Sequence, residues 1–168
     1  MIEVEVDSGE EWDSRIGWAE LAQNAVRSAT EHSAHKALLA LDAEVSVKLT
    51  SDDEVHALNR QWRGKDKPTN VLSFPMCEPD EFDAAGQFGE LLLGDIVLAH
   101  GVCLREAAER AIAVETHATH LIVHGMLHLL GYDHELGDEQ AEEMEDIERR
   151  ALAALGISDP YALQGVQD

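Results

Sequence analysis

The sequence predicts an α+β fold, in which a small mixed sheet of about four strands packs against several helices in a single domain. Four short stretches carry the alternating or continuous apolar pattern that is typical of strands, at 1–7, 43–49, 70–74 and 90–98. Most of the helical pattern comes late in the chain instead of alternating with the strands. The 168 residues suit one domain, and neither an internal repeat nor a linker rich in Pro, Gly or Ser divides them.

The first elements follow from local residue types. Residues 1–7 alternate apolar and acidic side chains, which predicts a half-buried strand. Apolar residues recur at helical spacing over 12–40, so we expect one long helix there. Ser51 followed by Glu54 is the pattern of a capping box, and it predicts a helix that ends at Gly64. The inner face of that helix is expected to carry Val55, Leu58 and Trp62.

The middle of the chain adds two strands around a loop. Residues 70–74 are short and apolar and stop at Pro75, and 76–89 contain the Pro and Gly residues of a loop. Residues 90–98 are expected to form a strand that Gly94 interrupts. Three helices are expected beyond it, at 102–112, 114–130 and 137–155.

The composition indicates a globular protein outside the membrane. Apolar residues make up 45% of the chain, which excludes a disordered protein. No apolar run approaches the roughly 20 residues of a membrane span, and the acidic start MIEVEVDSGEEWD lacks the layout of a signal peptide. We therefore expect a cytoplasmic protein with no membrane partner and with Cys77 and Cys103 as free thiols. The predicted domain spans 1–168, with an N-terminal strand and helix over 1–40 and a C-terminal tail over 157–168.

The charge of the chain is strongly negative and unevenly spread. A net charge of −22 argues against a general nucleic-acid-binding protein, because phosphate binding draws on clustered Lys and Arg. Eight acids and no base lie between Glu135 and Glu148, which we interpret as a solvated helix face. The run RQWRGKDK at 60–67 is the reverse case and indicates a local anion site, although an ordinary exposed loop has the same charges. Its basic residues are Arg60, Arg63, Lys65 and Lys67.

A stripe of histidines follows one side of the predicted helix at 114–130. On a helix, His124 and His128 point within about 40° of each other and lie one turn apart. Two imidazoles at this spacing share a metal ion in H-x-x-x-H zinc sites. About 12 Å of helical rise separates His120 from His128, too far for both rings to reach one ion through bonds of about 2 Å. We therefore expect His117 and His120 to have packing or hydrogen-bonding roles.

The residues after His128 add a third ligand. Gly131 can take the left-handed conformation that ends a helix, so that the chain folds back and His134 meets the ion held by His124 and His128. Three histidines leave a fourth position for water, which is typical of a catalytic zinc site. Imidazole suits several transition metals, and Zn²⁺ is the preferred one here. Asp133 is a candidate for orienting one of the ligand rings.

The spacing H-x-x-x-H-x-x-G-x-x-H is also that of the metzincin peptidases, in which a Glu follows the first His. That Glu is the general base of the peptidase, and a positioned base contributes about 10²–10⁴-fold to the rate. Here the position holds Gly125. The pattern therefore keeps the metal geometry and disfavours peptidase chemistry. A metallopeptidase with another base is the alternative.

Three segments resemble the YbeY proteins, a family of bacterial single-strand-specific metallo-endoribonucleases. They are HGMLHLLGYDH at 124–134, RGKDKPTNVLSFP at 63–75 and GELLLGDIVLA at 89–99. The resemblance covers residues 42–155, whereas the first forty residues match only in general layout. It implies a single α+β domain and a role in maturing the 3′ end of small-subunit ribosomal RNA and in ribosome quality control. It also implies a zinc ion held by His124, His128 and His134.

The resemblance further implies that Arg63 is functionally essential. Arg63 would pair with phosphate oxygens and stabilise charge in the transition state, while Lys65 and Lys67 would position the RNA backbone. No residue presents itself as the general base. Because the net charge opposes binding to naked RNA, we expect single-stranded ribosomal RNA to be bound together with the ribosome or a ribosomal protein. A non-catalytic assembly factor, with a structural zinc and a basic loop that docks on the ribosome, is a further alternative.

Overall fold

The computed structural model of the protein describes residues 1–82, 91–133, 135 and 137–161. Within them the chain forms four strands and five α-helices, with short 3₁₀-helices at Lys36–Ala40 and Pro79–Glu81. The strands are β1 (Ile2–Ser8), β2 (Ala43–Thr50), β3 (Val71–Pro75) and β4 (Leu91–Ala99). The α-helices are α1 (Trp18–Glu31), α2 (Asp52–Arg63), α3 (His100–Glu109), α4 (Val114–Leu129) and α5 (Asp138–Ala154).

The strands form one mixed sheet in the order β1-β2-β4-β3. β2 pairs parallel with β1 and with β4, whereas β3 is the antiparallel strand at the edge. This architecture confirms the predicted α+β fold. α1 provides the crossover that the parallel pair β1–β2 needs.

The main core lies between one face of the sheet and the helices α1, α4 and α5. Val45, Val47 and Ile96 from the strands and Ile122 and Met126 from α4 are all buried in it. α4 is the central helix, since it packs against α1, α3, α5 and two strands. A helix that is covered on most sides reads as apolar all round, which explains the apolar sequence between its histidines. In the described part of the chain, no helix is long and apolar enough to cross a membrane.

Strand β4 runs through the glycine that was expected to interrupt it. The pairing with β2 shifts by one residue there, so that Glu44 faces Leu92 while Val45 faces Gly94. Gly94 has φ +145°, and a Cβ at this position would lie 2.4 Å from the carbonyl oxygen of Phe74. The glycine therefore allows a bulge and a close approach to β3 without ending the strand. Residues 83–90, which include the rest of the predicted loop and the start of the predicted strand, lie outside the described residues.

The long helix predicted over 12–40 is wrong at both ends. α1 begins only at Trp18, and a separate 3₁₀-helix covers Lys36–Ala40. Trp12 lies in a turn, where its indole nitrogen donates to the carbonyl of Thr50 and its ring packs edge-on against Trp18. The apolar side chains before Trp18 are thus buried by tertiary contacts of an irregular segment, which periodicity alone cannot distinguish from a helix.

The cap of α2 is confirmed only in part. Ser51 accepts a hydrogen bond from the backbone N–H of Glu54 at 3.2 Å. The Glu54 carboxylate does not return to Ser51 but contacts the ammonium of Lys48 at 2.5 Å. The prediction that Trp62 lies on the inner face is wrong, because this side chain is 64% exposed.

α4 ends in a Schellman motif centred on Gly131. The N–H of Gly131 donates to the carbonyl of His128, and the N–H of Tyr132 donates to the carbonyl of Leu127, both at 3.0 Å. Gly131 has φ +98°, and a Cβ there would lie 2.6 Å from Cγ of Pro79. The predicted end of the helix at this glycine is therefore confirmed.

We expect Gly131→Ala to destabilise the protein more than Gly156→Ala does. Gly156 ends α5 with the same hydrogen bonds and φ +78°, but nothing lies within 4 Å of its missing Cβ. Gly156→Ala should therefore cost only the left-handed conformation, about 1–2 kcal/mol. Gly131→Ala adds the clash with Pro79, about 1–3 kcal/mol more. Urea unfolding of both variants measures the difference, and equal losses would show that Pro79 yields freely.

Candidate active site

A cleft of about 800 Å³ opens between the end of α2, strand β3 and the end of α4. Its lining includes Arg63, Lys65 and Lys67 on one side and His124 and His128 on the other. Residues predicted from two distant segments of the sequence thus line a single cleft. His134, the third predicted ligand, lies outside the described residues.

The two described histidines of the predicted metal site face each other. Nε2 of His124 lies 3.1 Å from Nε2 of His128. Two nitrogens that bind one tetrahedral zinc ion at about 2.0–2.1 Å lie about 3.3 Å apart, so the observed spacing fits a shared ion. Among the described residues no group of three His, Cys, Asp or Glu side chains completes a metal site, as is expected when His134 is not among them. The spacing of the two nitrogens does not by itself select a metal. Their chemical type does, because imidazole nitrogens suit zinc.

A carboxylate from α5 lies against His124. Oε1 of Glu148 lies 2.5 Å from Nδ1 of His124, and Glu148 has no exposed surface. Asp133, the candidate proposed from the sequence for such a contact, instead accepts from the backbone N–H of Glu135 at 2.8 Å. Glu148 is the exception in the acidic run that was interpreted as a solvated face, because it is buried whereas Asp138, Glu139, Glu142, Glu143 and Asp146 are exposed as expected. Glu148 follows the buried Met144 by one turn on the same face of the helix, and this position relative to an apolar residue is the sequence signal that could have identified it.

Glu148 is a charged group in a buried position. Burial raises its pKa, but the hydrogen bonds and charges of His120 and His124 outweigh that effect and lower the pKa to about 2. The hydroxyl of Tyr161 also donates to this carboxylate, and burial together with the charge of Glu148 raises the pKa of Tyr161. The group is therefore an anion that accepts hydrogen bonds from three side chains.

The two remaining histidines of the stripe have the hydrogen-bonding roles that were expected. Nε2 of His120 lies 3.3 Å from Oε2 of Glu148, and its Nδ1 is buried with no partner among the described residues. Nε2 of His117 lies 2.9 Å from Oε1 of Glu106 on α3. The same carboxylate accepts from the side-chain amide of Asn70, which lines the cleft. Each of the two histidines thus pairs with a carboxylate of a neighbouring helix, His120 with Glu148 on α5 and His117 with Glu106 on α3.

The basic loop is fixed by the backbone around it. The guanidinium of Arg63 donates to the carbonyl of Ser73 at 2.5 Å and lies over the ring of Phe74, 5.6 Å from its centroid. The buried Asn59 holds the following loop, because its carbonyl accepts from the N–H of Lys65 and its side-chain amide donates to the carbonyl of Lys67. The sequence did not identify Asn59, because a single polar side chain within a helix belongs to no recognisable motif. The guanidinium of Arg63 and the backbone of the loop that carries the two lysines are therefore held at the cleft by contacts to β3 and α2.

The packing at Gly125 explains why the peptidase base has no counterpart here. A Cβ on Gly125 would lie 2.9 Å from Cγ2 of Ile96, and Val71 lies next to it. α4 therefore approaches β4 too closely at this point to carry a glutamate into the cleft. This close contact therefore disfavours a base of the metzincin type at position 125.

Comparison with known proteins agrees with this geometry. The family model of endoribonuclease YbeY matches residues 9–156. A relative from Rhizorhabdus wittichii, named Endoribonuclease YbeY, is 59% identical over 97% of this chain and 98% of its own. One of the same name from Novosphingobium aromaticivorans is 56% identical over 96% of both chains. The solution structure of TM1509 from Thermotoga maritima is 30% identical, with a TM-score of 0.55 over 95% of this chain and 98% of that one.

Two imidazoles at the spacing of metal ligands, across one cleft from a group of cations, suit an enzyme that acts on phosphate esters, because a metal ion polarises a phosphoryl oxygen and cations contact phosphate. The family model and the relatives named above narrow this class. The chain belongs to the YbeY endoribonuclease family.

The protonation of His117 gives a test of this network. Burial lowers the pKa of His117, against the opposing effect of Glu106. The unfolded chain therefore takes up the proton at higher pH than the folded one, so stability is present above about pH 6.5 and is lost as the pH falls. In the metal-free protein we expect His117→Gln to reduce the slope of the free energy of unfolding against pH, by at most about 1.4 kcal/mol per pH unit. Urea unfolding at stepped pH measures it, and parallel profiles would contradict the buried, neutral His117.

Proposed function

We propose that this chain is a zinc-dependent endoribonuclease that cleaves single-stranded RNA in the cytoplasm, in 3′-end maturation of small-subunit ribosomal RNA and in ribosome quality control. The observation that carries the proposal is the 3.1 Å spacing of the Nε2 atoms of His124 and His128 in a cleft that also contains Arg63. The relatives named Endoribonuclease YbeY support RNA as the substrate.

The chain's own residues divide the work between two sides of the cleft. His124 and His128, with His134 from outside the described residues, would hold the ion. When bound, zinc supplies a Lewis acid for the phosphoryl group. Arg63 would donate to the non-bridging phosphate oxygens and stabilise their charge as it builds. Its contacts with Ser73 and Phe74 preorganise the guanidinium, so less conformational entropy is lost on binding.

The charge of the chain supports a protein partner in this function. The 34 acidic residues outnumber the 12 basic ones, so the long-range field repels RNA at low salt. Lys65 and Lys67 offer local attraction at the cleft only. We propose that the ribosome or a ribosomal protein brings the RNA to the cleft, and tight binding of isolated single-stranded RNA at moderate salt would contradict this.

Arg63→Ala tests the catalytic role of the basic loop. We expect it to lower kcat by about 10²–10³-fold while the zinc content stays unchanged, because the charge is lost where negative charge develops. Cleavage of a labelled single-stranded RNA, with metal analysis of the same samples, measures both quantities. Arg15→Ala is the matched control, since it removes one exposed guanidinium from outside the cleft. Unchanged cleavage in Arg63→Ala would contradict the role of Arg63.

Removal of the metal separates the enzyme from the assembly-factor alternative. We expect chelation to abolish cleavage and Zn²⁺ to restore it, whereas His124→Ala and His128→Ala should lose both the metal and the activity. His32→Ala is the control, because the imidazole of His32 contacts the carbonyl of Ser28 at the end of α1, outside the cleft. A wild-type protein that binds zinc stoichiometrically but cleaves no RNA, even on the ribosome, would favour the non-catalytic assembly factor.

A further inference from the structure

We propose that Glu148 is the positioning residue of the metal centre and that Tyr161 holds its carboxylate in place. The inference rests on the proposed metal-binding role of His124. Neither Glu148 nor Tyr161 lies in the three segments that carry the family resemblance. Both come from the C-terminal part of the chain, from α5 and from the segment after it.

The contact between Glu148 and His124 fixes the tautomer of the imidazole. An ionised carboxylate can only accept hydrogen bonds, so the 2.5 Å contact between Oε1 and Nδ1 places the ring proton on Nδ1. A neutral imidazole carries one such proton, which leaves the lone pair on Nε2. Nε2 is the atom that faces His128 at 3.1 Å. Glu148 thereby presents His124 in the form that a metal ion can bind.

The second oxygen of the carboxylate is held as firmly as the first. Oε2 of Glu148 accepts from the hydroxyl of Tyr161 and lies 3.3 Å from Nε2 of His120. With contacts to both oxygens, the carboxylate cannot rotate without breaking a buried hydrogen bond. Tyr161 and His120 therefore act on the metal site through Glu148.

Tyr161 is itself anchored by its neighbours. The guanidinium of Arg110 donates to the carbonyl of Pro160 at 2.8 Å, and the N–H of Tyr161 donates to Asp159 at 2.8 Å. The ring of Tyr161 also packs edge-on against His120, with centroids 5.8 Å apart. The chain after α5 thus closes over Glu148, and its position becomes part of the metal centre.

A purely architectural pairing of α4 and α5 would show the same contacts, so the test needs a matched pair. Glu106 and His117 provide it, because they also join a carboxylate to a buried histidine of α4 at 2.9 Å. Within the described part of the chain, the hydrogen bonds and ring contacts of that pair go to Asn70, Arg110 and His120, and not to His124 or His128. Glu106→Gln therefore perturbs an equivalent hydrogen bond between a carboxylate and a histidine, at a pair that does not contact the proposed ligands.

The experiment compares Glu148→Gln, Tyr161→Phe and Glu106→Gln in two measurements. Zn²⁺ affinity is measured by competition with a chromophoric chelator, and the His124 tautomer of the metal-free protein by long-range ¹H–¹⁵N NMR. We expect Glu148→Gln to weaken zinc binding about 10–100-fold and to leave His124 as a mixture of tautomers. Tyr161→Phe should weaken binding less, and Glu106→Gln should leave the affinity within about threefold of wild type.

Wild-type affinity together with an unchanged tautomer in Glu148→Gln would overturn the proposal. An equal loss of affinity in Glu106→Gln would also overturn it, since the effect would then be architectural. If Glu148→Gln does not fold, Tyr161→Phe decides, because it keeps the carboxylate and the ring and removes one hydroxyl; unchanged affinity there overturns the role of Tyr161. His124→Ala is the reference: zinc binding that survives this substitution would refute the metal centre itself.

Discussion

The carboxylate of Glu148 lies between α4 and α5 with no exposed surface, and an unpaired anion in such a place costs several kcal/mol. Hydrogen bonds from His120, His124 and Tyr161 offset that cost only if all three side chains reach the same group. A shift of α5 along α4 would break them together. The buried anion therefore fixes one register between the helices, and that register determines where Nε2 of His124 points.

The position of α4 depends equally on the missing side chain of Gly125. Because Gly125 has no side chain, the helix lies against Ile96 of the sheet, and His124 and His128 reach the cleft beside the strand instead of standing off from it. At its end, the left-handed Gly131 turns the chain back within hydrogen-bonding distance of Leu127. The close packing at Gly125 and the end of the helix at Gly131 thus act together on the turn that carries His124 and His128. They place the imidazoles opposite the cations that follow α2.

The sequence predicts those features whose signal is local. The i, i+4 spacing of two histidines and the glycine after them fix the geometry of the helix end, so the facing imidazoles and the break at Gly131 were predictable. Glu148 was not recognised because an acid in an acidic run reads as solvated, and only the packing of α5 onto α4 shows that it is buried. The irregular segment at Trp12 and the exposure of Trp62 depend likewise on tertiary contacts that periodicity does not contain.

The short range of electrostatic interactions in salt explains how so acidic a chain can act on RNA. At physiological ionic strength the Debye length is about 8 Å, so the net charge of −22 acts weakly on RNA that is already at the surface. The charges close to RNA in the cleft would be those of Arg63, Lys65 and Lys67, which line it. Repulsion therefore penalises the encounter more than the bound state. An enzyme with this balance is slow to capture free RNA yet can act on RNA that is brought to it, and this is the step that the proposed partner would supply.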